Sequence, residues 1–415
     1  MPSRRQLLGA LGAAGLAGFA GCSDDQSTPT TETGTDDDNA MNGGTADNTT
    51  ASDAVGDESG DWPMPAFDGG ATGYDPDHVG PRAGVRERWS EEIEWPVGRP
   101  IVADGRVYVP TTESLYAFAV DNGVTEWVAD SSGGWWTTAP AFDDGRLYVG
   151  VTGENRVLAL DAESGDELWD VETTGSVGAA PVPSHGGRWV FAGDTDGGVY
   201  RIDAETGEVD WEAETFTGVT TLVDVGTVYA GTEGGEVYAL SESDGEGLWR
   251  QKLPGSIRAV AADGGGVYAS TFGGTVHGLA GNARAGAIEW TDSEGVVAHG
   301  ALVLTGDAVF GADGGGLEAI DRKTGERRWR VKGEFRSAPA AAGDTLYVGS
   351  DAGEVLAFAL DGGLGVDDVR VRAKRWSHPV DGPVRNGFAV ADGAVFALTV
   401  GGDGTKPTAY ALETA

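Results

Sequence analysis

The side chains able to ligate a metal or act as a nucleophile are few and far apart. Five histidines, His78, His185, His277, His299 and His378, show no spacing that would bring two of them to one metal. Cys22 is the single cysteine, so the chain can form neither a disulfide within itself nor a Cys-x-x-Cys-His haem attachment. No Gly-x-Ser-x-Gly elbow occurs. Glycine runs at Gly264-Gly265-Gly266 and Gly314-Gly315-Gly316 lie between β-prone segments, with no helix after them to receive a phosphate. Acidic turns at Asp194-Thr195-Asp196-Gly197, Asp313-Gly314 and Asp351-Ala352-Gly353 lack the spaced oxygen ligands of a calcium loop. No catalytic residue and no metal ligand is expected.

Arginine offers a different chemistry. The chain repeats, and the segments that turn inward between repeats can be aligned on the strand that follows each. One register then reads Val97, Thr137, Ile257, His299, Arg336 and Arg385, with Arg99 and Arg258 within two positions. Trp135 and Trp136 stand beside Thr137. Trp135, Trp136, His299, Arg336 and Arg385 are therefore candidates for a positive mouth edged by aromatics. Such a mouth suits a small anionic ligand or an acidic peptide. The competing expectation is that these arginines only pair with neighbouring Asp and Glu.

The elements that must position this register follow from tryptophan. Trp89, Trp127, Trp169, Trp211, Trp249, Trp290, Trp329 and Trp376 recur at intervals of 38 to 47 residues. A period near forty marks a repeat architecture. Each Trp closes the same phrase, as in Ala159-Leu160-Asp161-Ala162-Glu163-Ser164-Gly165 through Trp169. Within residues 140–172, Asp-Gly and Gly-Glu-Asn turns separate short runs of Val, Leu, Tyr and Trp. Those runs predict four strands, which make one blade of a β-propeller. The eight Trp side chains are expected to wedge between blades. Seven full repeats lie between Trp89 and Trp376. Three strands follow Trp376, and Val85 to Trp89 supplies a lone fourth strand before the first repeat. Joined, they predict an eighth blade stitched from both ends of the domain, an all-β fold without exposed sheet edges.

The phrase Ala-x-Asp-x-x-Thr/Ser-Gly-x-x-x-Trp resembles the tryptophan-docking motif of the PQQ-like propellers. That family includes the eight-bladed quinoprotein alcohol dehydrogenases and the BamB-type assembly lipoproteins. Asp61-Trp62-Pro63-Met64 through Thr72-Gly73-Tyr74 is similar to the leader preceding the first blade in such proteins, so the resemblance covers residues 61–415. It weakens at Ala280–Gly286, where the Asp-led turn is replaced, and at Asp361–Arg375, a longer insertion. The resemblance implies a non-catalytic binding or scaffold protein. Its alternative implication is a dehydrogenase holding PQQ on the axis beside calcium, under a disulfide of adjacent cysteines. The chain lacks such a cysteine pair, and no cofactor is expected.

The first 22 residues read as an address. Ser3-Arg4-Arg5-Gln6-Leu7-Leu8 is a twin-arginine pattern, followed by a short apolar core ending in Phe19-Ala20-Gly21-Cys22. That ending resembles a lipobox, with Cys22 the lipidated residue and Phe19 where Leu is usual. Residues 23–60, rich in Thr, Asp, Gly and Ser, read as a disordered linker with a span of roughly 35 Å. Asn48-Thr49-Thr50 is a glycosylation sequon. The net charge is −38, with 66 acidic and 28 basic residues, only five of them Lys. An acidic, Lys-poor composition resembles that of haloarchaeal proteins, which stay hydrated in high salt. It excludes nucleic acid as a natural partner. The expectation is a halophilic monomer on the outer face of the cell membrane.

Overall fold

A computed structural model describes residues 60–130, 135–136, 138–152, 155–281, 285–292, 301–366, 369–402 and 404–415. The expected signal peptide, nearly all of the expected linker, Cys22, Asn48, Thr137 and His299 lie outside the described residues. The second repeat shows how each phrase folds. Ala141–Asp143, Arg146–Thr152, Arg156–Asp161 and Glu167–Glu172 pair antiparallel in chain order. Asp144 and Gly145 both have positive φ, 44° and 75°, as a two-residue hairpin turn requires. Among the described residues eight such sheets form an eight-bladed propeller.

The eighth blade takes Val384–Ala391, Ala394–Thr399 and Thr408–Thr414 from one end of the domain and Val85–Glu92 from the other. Trp89 sits opposite Ala411 across that seam. Arg88 fastens it, with Nε on Glu413 at 2.7 Å and a second guanidinium nitrogen on the Asp392 carbonyl at 2.7 Å.

The tryptophans join one blade to the next through a hydrogen bond and a glycine. The Trp127 Nε1–H donates to Ala162 O (3.1 Å), Trp169 to Ala204 O (3.0 Å) and Trp211 to Glu242 O (3.0 Å). Trp89, Trp249 and Trp290 donate likewise to Val120, Gly281 and Arg322. Each indole also lies on the glycine of the following blade's turn. Gly207 shows why no other residue serves: its φ is +76°, and a Cβ there would sit 3.0 Å from the Trp169 ring. On the other side, Trp169 tilts against Tyr148 of its own blade, ring centroids 5.9 Å apart. Where the phrase loses its Asp, at 280–286, Gly286 still has a φ of +75° and still meets the Trp249 ring. The longer insertion forms a small hairpin, Leu364–Val366 with Val369–Val371, and Gly362 keeps the contact to Trp329.

Trp376 needs a different partner, because the eighth blade is cut where its turn would be. Its Nε1–H donates to Pro81 O at 2.9 Å, and the buried Tyr347 hydroxyl donates to the same carbonyl. Pro81 ends the leader, whose course gives the ring its second closure. The innermost strand of each blade faces the axis, and in six blades one of its N–H groups donates to the leader. Trp62 exchanges two hydrogen bonds with Val102 of the first blade. Phe142 N–H of the second donates to Pro63 O, Asp224 N–H of the fourth to Gly69 O, and Ala262 N–H of the fifth to Gly70 O. Leu304 N–H of the sixth donates to Thr72 O, and Ala341 N–H of the seventh to Gly73 O. Tyr74–Asp75 then pairs as a parallel fifth strand with Ala340–Ala342. The leader thus runs round the axis in blade order. It lies so close that a Cβ on Gly70 would fall 2.1 Å from Ala262 O.

Candidate functional site

The leader divides the axial space. On one side lies a chamber in two adjoining parts of about 190 and 580 Å³, sharing Pro65, Arg99, Gly178 and Ala180 as lining. Pro65 floors it. Arg99 donates from Nη1 to Pro65 O at 2.9 Å, and burial lowers its pKa to about 10, which leaves it cationic at neutral pH. Arg258 lines the inner part and lies over the Phe272 ring at 5.1 Å. Arg385 and Asn386 line the outer part, where the Asn386 amide donates to Pro96 O and Gly98 O, both at 3.0 Å.

The register read from sequence converges in part. Arg385 and Arg336 come together on one carboxylate, with their Nε atoms 2.8 and 3.2 Å from Asp351. Both guanidiniums remain half exposed. Two arginines on one aspartate leave a net positive charge, and a pair this wet adds little stability. Trp136 departs from the expectation of an aromatic rim. It is 2% exposed and packed with Ile101, Tyr108 and Leu147 between blades. Trp135 belongs to the same short strand. The aromatic lining the outer chamber is Trp95, 53% exposed, which the sequence reading missed. Its signal was its place four residues before Arg99 in the same inward segment.

The acidic turns are used internally. Asp194 is fully buried and accepts from the Tyr200 hydroxyl and the Thr174 hydroxyl, both at 2.8 Å, and from Gly198 N–H. Burial alone would raise its pKa, but these donors hold it below the usual carboxylate range. Asp313 accepts from Gly315 and Gly316 N–H. Among the described residues no group of three His, Cys, Asp or Glu is placed to hold a metal ion.

The sequence profile described as "Outer membrane protein assembly factor BamB" matches residues 129–331 and 313–415. The chain belongs to the BamB family. BamB of Yersinia pestis is 29% identical over 277 residues, which are 63% of this chain and 61% of that protein. The match thus spans under two thirds of that relative's length. The structure of BamB from Moraxella catarrhalis superposes with a TM-score of 0.65 at 19% identity, over 80% of this chain and 98% of that one. The quinohemoprotein alcohol dehydrogenase of Comamonas testosteroni gives a TM-score of 0.68 at 15% identity, over 87% and 82% of the two chains. Structural likeness at these identities shows a shared fold, which BamB proteins and dehydrogenases have in common.

The residues lining this family member's chamber do not fit PQQ with calcium. Calcium takes six to eight oxygen ligands, and the charged side chains on the wall are Arg99, Arg258 and Arg385 with the single carboxylate Asp68. Asp68, a carboxylate at the inner part, accepts from the Thr72 N–H and hydroxyl with its two oxygens. One cysteine cannot form the disulfide cap.

Across the leader lies an acidic cup of about 830 Å³ between the second, third and fourth blades. Asp143, Asp224, Glu242 and His185 contribute to its wall. Asp224 is 5% exposed, and burial, reinforced by the Glu242 charge, raises its pKa to about 6. A carboxyl that protonates more readily folded than unfolded stabilises the fold fully below about pH 4. That contribution is lost as the pH rises through about 6. Asp224→Asn keeps the shape without the charge. Chemical denaturation at pH 4 and pH 7 is therefore expected to show wild type losing about 2–3 kcal/mol relative to the variant over that interval. Parallel profiles would show that Asp224 does not titrate as its burial requires.

Proposed function

We propose that the chain is a lipid-anchored propeller on the outer face of the cell membrane that binds a protein or a small anionic ligand without catalysis. The observation carrying this reading is the chamber floored by the leader and lined by Arg99, Arg258 and Arg385 in a chain of net charge −38. A cationic wall in an acidic protein selects carboxylate or phosphate groups. Family membership supports a docking role. The outer-membrane task in the relatives' name is theirs and is not carried over. Export by the twin-arginine route and Cys22 lipidation complete the proposal.

Two experiments test it. In membrane fractionation, Cys22→Ser is expected to appear in the soluble fraction or as uncleaved precursor, and a variant that fractionates like wild type would remove the anchor. For the chamber, thermal shift in molar KCl is run with carboxylates, phosphates and acidic peptides. At least one anion is expected to raise the melting temperature of wild type, and the Arg258→Gln/Arg385→Gln double variant to lose most of that rise. A wild type indifferent to every anion, or a double variant that responds equally, would reduce the arginines to surface pairing.

A further inference from the structure

We infer that the outer part of the chamber binds an anionic sugar, with one face of the sugar ring on the Trp95 indole and its carboxylate or phosphate against Arg99 and Arg385. The inference rests on the anion-binding reading of the same chamber and names the chemistry of its ligand.

Trp95 is held in place yet left uncovered. Its carbonyl accepts from Thr112 N–H at 2.9 Å, and Pro96 beside it bridges to Thr111. The side chain is 53% exposed and lines the chamber. The indoles between blades lie against other rings, as Trp89 does on Phe118 and Trp169 on Tyr148. Among the described residues no ring or guanidinium stacks on Trp95. A fixed, bare indole in a cavity wall is a platform for the apolar face of a ligand. The outer part holds about 580 Å³, a volume suited to a small molecule.

The rest of the wall selects the kind of ring. Trp95 is the one aromatic residue among those lining this part, so a ligand ring stacks on one side only. A flat aromatic acid gains most from apolar surface on both faces. A pyranose has an apolar C–H face and an edge of hydroxyls, and so needs one platform and polar partners. Asn386 supplies such a partner. Its amide nitrogen donates to Pro96 O and Gly98 O, both at 3.0 Å. Those two bonds fix which end of the amide is the carbonyl. They leave its oxygen as an acceptor for a ligand hydroxyl, which an aromatic acid lacks. The acid group meets Arg99 and Arg385, which line the same part. Arg385 hydrogen-bonds Asp351 through Nε at 2.8 Å, and its terminal nitrogens remain as donors for a second acid.

Titration calorimetry of the full chain in molar KCl tests this. The probes are glucuronate, glucose 6-phosphate, gluconate, glucose and benzoate. Gluconate carries an acid and hydroxyls like glucuronate but forms no pyranose ring. Glucuronate or glucose 6-phosphate is expected to bind saturably, and about tenfold more tightly than gluconate, glucose or benzoate. A preference for glucuronate would identify a sugar acid, and a preference for glucose 6-phosphate a sugar phosphate. Trp95 is exposed, so its variants are expected to fold. Trp95→Ala should remove the tenfold advantage and Trp95→Phe keep most of it. Arg385→Gln should weaken ring and open-chain anions alike. The inference is overturned, with the anion chamber left standing, if gluconate or benzoate binds as tightly as the sugar anions or if Trp95→Ala keeps their advantage. If no anion binds, the anion chamber falls and the inference falls with it.

Discussion

The structure depends on a row of backbone hydrogen bonds between the leader and the innermost strands. A propeller blade hides its outer strand behind solvated turns, but its innermost strand turns an unpaired edge toward the axis. An N–H buried there without a partner costs about 1–3 kcal/mol. The carbonyls of Trp62, Pro63, Gly69, Gly70, Thr72 and Gly73 receive those N–H groups in six blades, one after another. Pro81 O then takes the Trp376 indole, which the interrupted eighth blade cannot serve. The ring is therefore closed twice, by the shared eighth blade and by a peptide drawn round the axis.

That second closure also divides the space at the axis. A single strand of chain separates a chamber walled by arginine from a cup walled by carboxylates. The leader residues Met64, Asp68 and Gly69 line both. The fold is shared with BamB of Moraxella catarrhalis and with a quinohemoprotein alcohol dehydrogenase.

The blades were legible in the sequence because side chains carry them. Trp169, Gly207 and Tyr148 each have a side-chain or φ requirement that repeats every forty residues. The eighth blade followed from counting strands at the ends of the domain. The leader's task was not legible, since carbonyl hydrogen bonds leave no residue pattern, and only the tight fit of Gly70 hints at it. Of the arginines read at or near one register, Arg385, Arg99 and Arg258 line the chamber, while Arg336 meets Arg385 on Asp351, because strand starts align across repeats. The register misled at Trp136, whose neighbour blade covers it. Asp224-Val225-Gly226 carries no residue pattern that sets it apart from the other Asp- and Gly-containing turns. Its burial becomes visible only when the third blade and the leader are placed around it.

The central claim is that the leader is an integral strand of the ring. Native-state hydrogen exchange measures it most directly, at the amides of Val102, Phe142, Asp224, Ala262, Leu304 and Ala341, which donate to leader carbonyls. The account predicts that these amides exchange only with global unfolding, at the rate of the blade centres. Exchange of these six orders of magnitude faster than their own blades, as for a peptide that lifts away while the ring stays folded, would contradict it.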